Sequence, residues 1–391
     1  AAEMAREQRI GEIDSSLLTP LPAPELHGSK PSCVRCPEVT ADSVCSMTSL
    51  PGDPFLAAAR GEFSHHTPVW FMRQAGRSLP EYRASRGEGS ILEAIKKPEL
   101  AAEFTMQPVR RYGVDAAVLY SDIVVPAHAV GFGIDVAPGT GPVAQQPLRS
   151  STDLARLRPL HHEDITYVTD TVLELVKELK VPLLAFAGAP FTVASYLIEG
   201  RPSRTYQNTK RLMREDTVLW HEVMERLVQH SVEFISAQLS AGAEAFQVFD
   251  SWAGALSRSD YDTFVRPHTT EVFSQLSQRH PGVAGIHFGI GCDHLLESMN
   301  SVGNAVIGLD WRTPISAARQ RLGADVVVQG NLDPALVLAG TDIALEGATQ
   351  VLQDNNQHPG HIFNLGHGVQ PDTDPEVLNA VVAYVHERTT R

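Results

Sequence analysis

The sequence predicts an α/β protein, a single (β/α)8 TIM barrel that follows a disordered N-terminal tail. Two observations support this prediction. Eight short apolar runs recur between Phe55 and the C-terminus, and most are separated by longer stretches with helical periodicity. Gly, Pro and charged residues lie at the junctions between the two kinds of segment. A barrel of this kind takes about 250 residues before insertions, and its helices cover a closed parallel sheet. The chain, at 391 residues, is long enough.

The apolar runs are the predicted strands, because a parallel strand that is buried on both faces is expected to be apolar throughout. Each run is short and ends in a loop rich in Gly, Pro or charged residues, as strands of this type do. In chain order they are Val69–Met72, Ala116–Tyr120, Leu183–Phe186, Ala245–Phe249, Ala284–Phe288, Ala305–Leu309, Val326–Gln329 and Ile362–Leu365.

Helices are predicted between the strands from residue spacing and from signals at the helix ends. The clearest apolar face, at the helical period, consists of Ile165, Val168, Val172, Val176 and Leu179. Thr313-Pro314 and Asp374-Pro375 each resemble a capping residue followed by proline at the first helical position. The last helix is expected to bury Val377, Val381 and Val385.

A doubly wound open sheet is the alternative architecture for alternating strands and helices. Such a sheet usually begins with a glycine-rich phosphate turn after its first strand. No such turn follows Val69–Met72, and the GxxxxGK[ST] pattern is absent as well. The barrel is therefore the preferred prediction.

The chain is divided into two regions, 1–50 and 51–391. Residues 1–50 are rich in Pro, Ser, Glu and small residues without periodicity, which predicts a disordered extension. This region lacks an apolar core and carries acidic residues, so neither a signal nor a transit peptide is expected. Met47 could be the natural start. Residues 51–391 are expected to form the catalytic barrel.

Composition excludes several classes of function. The chain has 32 basic and 46 acidic residues, a formal charge of −14, and no basic block, so nucleic acid is not an expected partner. Only six of the basic residues are Lys, so Arg is expected to bind any anion. Four cysteines favour a reducing compartment, here the cytoplasm. Cys33 and Cys36 have the spacing of half a zinc site, but no second ligand pair follows.

One uncharged stretch, Val181–Ile198, approaches the length of a membrane span. It contains Pro182, Gly188 and Pro190 and ends in polar residues. A buried strand that leads into a Gly-Pro loop fits these features better. We expect no membrane span.

If the fold is a barrel, the active site lies at the carboxyl ends of the strands. Arg73 and Arg77 follow the first run and could each grip a carboxylate with a planar guanidinium. A solvated surface turn is the competing interpretation of this pair. The other polar or glycine positions at the predicted strand ends are Asp122, Tyr196, Asp250, Ser251, Gly289, Asp310, Asn331 and His367.

Each of these residues also has a purely structural interpretation. Asp122 could cap the segment that follows it, and Tyr196 could simply pack against the rim of the barrel. His367 lies between Gly366 and Gly368, which suits a tight turn and close approach of a ligand. A lone histidine is nevertheless often a structural group. Residue types and positions do not decide between these interpretations.

Taken in order, the motifs resemble those of the uroporphyrinogen decarboxylase family. The segments are PVWFMRQAGRSLPEYR, LYSDIVVP, FAGAPFTVASYLIEG, QVFDSWAGALS, VQGNLDP and FNLGHGV, and they extend from about residue 51 to the C-terminus. The resemblance implies a single barrel, usually a homodimer, that works without metal or organic cofactor. It also implies a reaction: removal of CO2 from the four acetate side chains of uroporphyrinogen III to give coproporphyrinogen III for haem synthesis.

The resemblance also implies roles for individual residues. Arg73 and Arg77, with the backbone of Gln74, Ala75 and Gly76, would hold substrate carboxylates. Asp122 would accept hydrogen bonds from the pyrrole N–H groups and stabilise the ring when it is protonated. Contacts to peripheral carboxylates would come from Tyr196, Ser251 and His367, and apolar walls around the macrocycle from Tyr82, Phe186 and Phe249.

The resemblance leaves the proton donor open. Arg73 is the leading candidate in the family, although a guanidinium is a poor acid. We also expect the charges of Arg73 and Arg77 to keep Asp122 ionised, because nearby opposite charges favour the charged form.

Two other functions compete with decarboxylation. A corrinoid-linked methyltransferase shares the barrel but requires a zinc-bound thiolate, with His-x-Cys near one strand end and a later Cys. The corresponding tripeptide here is His287-Phe288-Gly289, and Cys292 alone cannot replace two thiols. A barrel that binds a ligand without catalysis would be expected to lack Asp122 or the arginine pair, and both are present.

Overall fold

The structure is a computed structural model that describes residues 52–87, 89–137 and 139–391. The predicted disordered extension, the Cys33 and Cys36 pair and Met47 lie outside the described residues.

The described residues contain nine strands in two sheets. Seven of them form one parallel sheet in the order β1-β4-β5-β6-β7-β8-β9, and β2 pairs with β3 in an antiparallel hairpin. The strands are β1 (Ala117–Val118), β2 (Ile134–Ala137), β3 (Gly141–Ala144), β4 (Leu183–Gly188), β5 (Ala245–Asp250), β6 (Ala284–Gly289), β7 (Val306–Gly308), β8 (Val328–Gln329) and β9 (His361–Ile362).

The segment 68–70 closes this sheet into a barrel. On one side, Val69 forms a parallel bridge with Phe363, and the Trp70 N–H donates to the Phe363 carbonyl at 3.3 Å. On the other side, the Asp115 N–H donates to the Val69 carbonyl at 2.8 Å. The segment therefore lies between β9 and β1 as the eighth strand. The (β/α)8 prediction is confirmed, and each of the eight predicted runs contributes a strand or this closing segment.

Helices follow most strands. They are α1 (Pro54–Ala59), α2 (Pro80–Arg86), α3 (Ile91–Ile95), α4 (Pro98–Tyr112), α5 (Val125–Ala129), α6 (Ser151–Leu154), α7 (Thr166–Glu178), α8 (Pro190–Glu199), α9 (Gln207–Glu215), α10 (Thr217–Ala241), α11 (Arg258–Phe264), α12 (Arg266–Arg279), α13 (Leu296–Asn300), α14 (Ile315–Leu322), α15 (Pro334–Leu338), α16 (Thr341–Asn355) and α17 (Pro375–Thr389). The predicted apolar face lies on α7, where Val168 and Val172 are buried.

One predicted helix start is confirmed and one is wrong. Asp374 caps α17, because its Oδ1 accepts from the Glu376 N–H at 3.0 Å, and Pro375 is the first helical residue. By contrast, α14 begins one residue later than expected, at Ile315. Pro314 has an extended backbone with ψ of 140° and occupies the capping position itself. The Thr313 hydroxyl instead donates to Asp293 Oδ1 at 3.2 Å, so a tertiary contact replaces the expected cap.

The uncharged stretch Val181–Ile198 belongs to the core. It forms β4, whose six residues are all buried, and then α8 rather than the expected loop. Among the described residues, no helix is both long enough and apolar enough to cross a membrane.

Polar side chains cross the inside of the barrel. The Trp70 indole N–H donates to Gln329 Oε1 at 3.0 Å, and Gln329 Nε2 donates to Gln247 Oε1 at 2.8 Å. These residues come from the closing segment, β8 and β5, and all three are buried. Because a buried polar group that loses its partner is costly, this chain of bonds ties strands from opposite sides of the barrel together.

At the amino ends of the strands, Asp115 joins three parts of the fold. Its Oδ1 lies 2.7 Å from His66 Nε2, and its Oδ2 lies 2.8 Å from His386 Nε2 on α17. Oδ2 also accepts from the Val69 N–H at 2.7 Å. The carboxylate therefore fastens the last helix and the closing segment to the residues before β1.

We predict that Asp115→Asn destabilises the fold in a pH-dependent way. Burial raises the pKa of Asp115, but the hydrogen bonds from His386 and His66 outweigh it, and the net pKa is below 3.8. The ionised group therefore stabilises the fold above this pH, and its contribution is lost as the pH falls through the folded-state pKa. The variant should lose about 1–3 kcal/mol at pH 7, since hydrogen bonds to a charged group are affected.

The measurement is the free energy of unfolding from pH 7 down to pH 3. The difference between wild type and Asp115→Asn should narrow below pH 3.8, the ordinary pKa of aspartate. Asp372→Asn is the control, because Asp372 is exposed and its carboxylate bonds to no described residue. A constant difference at every pH would contradict the prediction.

Candidate active site

The predicted site residues follow strands at one end of the barrel. Arg73 comes after the closing segment, Asp122 after β1, Ser251 directly after β5, and His367 after β9, while Tyr196 lies on α8, which follows β4. Because all strands of the closed sheet are parallel, their carboxyl ends meet at one mouth. The structure thus brings these five residues to the same end of the molecule.

The Arg73–Arg77 turn is fixed by Gln74, whose side chain is buried. Its Oε1 accepts from the Phe71 N–H at 3.0 Å, and its Nε2 donates to the Ala116 carbonyl at 3.1 Å. The side chain therefore ties the turn to the start of β1. Ala75 and Gly76 are half-buried. Their predicted backbone contacts to a ligand stay predictions.

The two arginines of this turn are exposed and unpaired within the described part of the chain. Neither the Arg73 nor the Arg77 guanidinium forms an ion pair or a side-chain hydrogen bond with any residue there. Arg73 has a left-handed backbone, with φ of 61°. A non-glycine residue in this conformation costs free energy and is characteristic of functional sites. Two uncompensated positive charges at the mouth can attract an anion.

Asp122 is half-buried at the end of β1, and its Oδ1 accepts from the Val124 N–H at 3.0 Å. This bond stabilises the turn before α5, although Asp122 is not the capping residue of that helix. Burial raises the pKa of Asp122, while the Val124 bond and the Arg73 charge lower it by less. Burial is therefore the largest influence on this pKa, and the expectation that Arg73 and Arg77 keep Asp122 ionised stays a prediction. Removal of the carboxylate from water outweighs attraction by one exposed guanidinium.

The charge of Arg73 affects the pKa of two groups at the mouth besides Asp122. It opposes the rise in pKa that burial and the Asp122 charge cause at Tyr196. It also adds to burial in lowering the pKa of His367, which favours the neutral imidazole. The charge of Arg73 therefore acts on Asp122, Tyr196 and His367 together.

The glycines beside His367 permit close packing. A Cβ on Gly368 would lie 2.5 Å from Arg73 Cδ, and one on Gly366 would lie 2.2 Å from the Trp311 backbone nitrogen. Neither glycine has a positive φ. The groups that approach these glycines are Arg73 and Trp311 of the protein itself, and the predicted approach of a ligand stays a prediction.

Trp252 packs against Tyr196 and directly follows Ser251 in the chain. The Tyr196 and Trp252 ring centroids are 3.9 Å apart. Thr192 Oγ1 donates to Asp250 Oδ1 at 3.0 Å and accepts from the Trp252 N–H at 3.3 Å, so α8 and the end of β5 are joined. Ser251 is half-buried between these residues, and its hydroxyl bonds to no described group.

Two of the three predicted apolar wall residues pack together. The Phe186 and Phe249 rings meet edge to face at 5.5 Å, and Phe249 also meets Phe288 at 6.1 Å. Tyr82 lies on α2 and does not join this pair, and its ring packs against Phe104 of α4 at 4.7 Å. Its hydroxyl lies 2.7 Å from that of Tyr120. These contacts account for the burial of Tyr82 without a ligand.

Sequence reasoning missed Trp252 and Trp311. Each directly follows a polar residue at a predicted strand end, Ser251 and Asp310 respectively. The signal in the sequence is therefore an aromatic residue one position beyond the strand-end polar residue. Their aromatic faces pack against Tyr196 and near His367, with centroids of Trp311 and His367 6.3 Å apart.

One group of side chains with metal-ligand chemistry occurs in the described part of the chain. It consists of His66, Asp115 and His386, whose ligand atoms all lie within 4.8 Å of one another. These residues are at the amino ends of the strands, on the opposite side of the barrel from Asp122. The predicted absence of a metal at the mouth stays a prediction.

A closed parallel barrel with polar side chains at the carboxyl ends of its strands is typical of enzymes that act on small molecules. The family model described as "Uroporphyrinogen decarboxylase (URO-D)" matches residues 50–388. The chain therefore belongs to the uroporphyrinogen decarboxylase family.

Curated relatives agree with this assignment. The chain is 52% identical to a uroporphyrinogen decarboxylase of Salinispora tropica, over 90% of this chain and 96% of the relative. It is 51% identical to that of Saccharopolyspora erythraea, over 89% and 98%. The corresponding protein of Streptomyces coelicolor is also 51% identical, over 86% and 95%.

Solved structures support the fold alone, because their identities are low. A methyltransferase from Methanosarcina mazei matches with a TM-score of 0.71 and 19% identity, over 86% of this chain and 98% of that chain. A B12-independent methionine synthase from Shewanella matches with a TM-score of 0.51 and 12% identity, over 83% and 96%.

We predict that Gly368→Ala weakens the enzyme by displacing Arg73. The added methyl would lie 2.5 Å from Arg73 Cδ, so the arginine must move. Turnover of the family's substrate should fall several-fold with little change in melting temperature. The control is a double-mutant cycle with Arg73→Ala. Once Arg73 is truncated, Gly368→Ala should cost little more, because contacting residues are not additive. Full additivity would show that the glycine acts independently of Arg73.

Proposed function

We propose that this chain decarboxylates the four acetate side chains of uroporphyrinogen III to methyl groups, giving coproporphyrinogen III in tetrapyrrole biosynthesis. Membership of the uroporphyrinogen decarboxylase family carries the proposal. The arrangement of the mouth supports it, since Arg73 and Arg77 are unpaired within the described residues and the Arg73 charge acts on Asp122, in a protein with a charge of −14. A substrate with eight carboxylates needs such a locally positive region.

The proposed binding roles follow from position. Arg73 and Arg77 hold substrate carboxylates through their planar guanidiniums, which suit two parallel hydrogen bonds. The backbone of Gln74, Ala75 and Gly76 lies beside them. Contacts to the peripheral carboxylates are assigned to Tyr196, Ser251 and His367, and macrocycle walls to Phe186, Phe249 and Tyr82. A neutral His367 suits this role, since it can donate one hydrogen bond without adding a charge.

Asp122 has the proposed catalytic role. Protonation of a pyrrole carbon makes the ring an electron sink. The bond to the acetate carboxyl then breaks, its electrons enter the ring and CO2 leaves. A later proton on the exocyclic carbon and loss of one from the ring give the methyl group. The positive charge of the protonated ring is shared by its nitrogen, which an ionised Asp122 stabilises.

The raised pKa of Asp122 is compatible with this role. A cationic ring beside the carboxylate favours its ionised form and therefore lowers the pKa again. Arg73 is also assigned to catalysis, as the family's candidate for proton delivery. A guanidinium is a poor acid, so the first task of Arg73 is to orient the reacting carboxylate.

Three further properties are part of the proposal. The enzyme works without metal or organic cofactor, it forms a homodimer, and it resides in the cytoplasm. The family resemblance supports the first two. The small number of cysteines supports the third, since reducing compartments do not favour disulfide scaffolds.

The methyltransferase alternative is not favoured. His287 is buried, and its Nδ1 lies 3.0 Å from the Met299 carbonyl, which occupies that nitrogen. Gly289 stands where that class has its first zinc-binding thiol, and Cys292 alone cannot replace two thiols.

The test is anaerobic incubation of the full chain with uroporphyrinogen III, followed by separation of the products by carboxylate number. We expect successive loss of four CO2 molecules, ending at coproporphyrinogen III. The same reaction after exhaustive chelation should proceed at an unchanged rate. Absence of any product with fewer than eight carboxylates would contradict the proposal, and loss of turnover on metal removal would contradict the cofactor statement.

We predict that Asp122→Asn lowers turnover by about 100-fold or more, the scale seen when one preorganised group is removed from a transition state. The amide keeps the size of the side chain but removes the charge that balances the protonated ring. Asp122→Glu should retain more activity, because it keeps a displaced charge. Rate and melting temperature are measured on the same Asn variant. A destabilised variant with full activity would show that Asp122 is only a turn-stabilising residue.

We predict that Arg77→Lys weakens substrate binding although it keeps the charge. An ammonium group cannot form the two parallel bonds of a guanidinium. KM for uroporphyrinogen III should rise with the melting temperature unchanged, because the Arg77 side chain bonds to no described residue. Exposed Arg388, far along the chain on α17, provides the matched Lys control. Unchanged kinetics in Arg77→Lys would place Arg77 outside the binding site.

A further inference from the structure

A third arginine, Arg312, lies at the mouth next to the end of β7. Its guanidinium lies over the Trp311 ring, 3.7 Å from the ring centroid. Its Nη1 donates to Asp310 Oδ2 at 2.8 Å, and its backbone N–H donates to Asp310 Oδ1 at 2.9 Å. The guanidinium is thus held by an aromatic face and by a carboxylate at the same time.

Asp310 is itself fixed. Its side chain is almost completely buried, and the Gly291 N–H donates to Oδ2. The Asp310 carbonyl accepts from Asn331 Nδ2 at 2.8 Å, which links this residue to the end of β8. The backbone N–H groups of Gly291 and Arg312 therefore both donate to the Asp310 carboxylate. Its negative charge is shared with these groups and only partly balances the Arg312 guanidinium.

Arg312 remains accessible despite these contacts. Its side chain is 51% exposed, and neither Nε nor Nη2 bonds to a described residue. A guanidinium with one edge anchored and another edge open can grip a carboxylate with little loss of conformational entropy.

The position of Arg312 places it in the same site as Arg73. Trp311 packs against Gly366, and its ring centroid lies 6.3 Å from that of His367. Arg73 packs against Gly368, the other sequence neighbour of the same histidine. Both arginines also contribute, after burial, to the lowered pKa of His367. Arg73 and Arg312 are therefore both near the His367 loop at the mouth.

We infer that Arg312 binds a peripheral carboxylate of the tetrapyrrole beside the His367 loop. This inference rests on the proposed function and adds a carboxylate-binding position to it. The substrate carries acetate and propionate side chains around its edge, so a charged group there has a carboxylate to meet. Arg312 is a binding residue and takes no part in the bond-breaking step.

The test compares Arg312→Gln and Arg312→Lys with wild type. For uroporphyrinogen III, kcat/KM of the Gln variant should fall by about tenfold or more, as expected when a hydrogen bond to a charged group is lost. The loss should appear in KM, with kcat within about twofold and the melting temperature unchanged. Lys should recover part of the affinity, because it keeps the charge without the planar geometry.

The pattern of intermediates distinguishes the two carboxylate sources. If Arg312 holds a propionate, which is present throughout, all four decarboxylations slow together. If it holds an acetate, one intermediate accumulates. Arg388→Gln is the matched control, since Arg388 also lies over an aromatic ring, Tyr384 at 5.6 Å, on α17. That variant should behave like wild type.

A binding measurement separates this inference from the proposed function. The fluorescence of uroporphyrin, which carries the same eight carboxylates, reports binding without turnover. Weaker binding by Arg312→Gln than by wild type and by Arg388→Gln supports the inference even if no decarboxylation is seen. Equal binding by all three proteins, or no binding by wild type, overturns it.

Discussion

Closure of the barrel between the segment 68–70 and β9 is the constraint on which the mouth depends. The first and last strands meet through Val69 and Phe363, so the loops that follow them become neighbours. Arg73 and His367 come from these two loops, near opposite ends of the described residues. Gly368 then allows the Arg73 side chain to lie directly against the last loop. At the other end of the barrel, Asp115 holds the same segment through the Val69 N–H.

This closure has an electrostatic consequence. Arg73 is placed where its charge acts on Asp122, Tyr196 and His367 together, and no described carboxylate pairs with it. The protein as a whole is acidic, with a charge of −14. A positive region at the mouth therefore depends on a few guanidiniums that are kept unpaired, or anchored on one edge as in Arg312. Burial raises the pKa of Asp122, whereas the Arg73 charge lowers it. The ionised form of this carboxylate is therefore most favourable when a further cation lies beside it.

Much of the fold could be predicted from the sequence, because apolar runs and helical periodicity are local signals. All eight runs lie in the barrel, and the Asp374 cap is present. The cap predicted at Thr313 failed, since its hydroxyl bonds to Asp293 from another loop. The strand-end rule located Arg73, Asp122 and His367 at one mouth. It could not give the direction of the Asp122 pKa, because burial depends on residues that are distant in sequence.

The central claim is that Asp122 faces the pyrrole nitrogens while the unpaired arginines hold carboxylates. The most direct measurement is a crystal structure of the chain with coproporphyrinogen III bound under anaerobic conditions. We expect Asp122 oxygens about 3 Å from pyrrole nitrogens, the distance of a hydrogen bond, with the Arg73 guanidinium on a side-chain carboxylate. A macrocycle bound away from this end of the barrel, or one that turns its carboxylates rather than its nitrogens toward Asp122, would contradict the account.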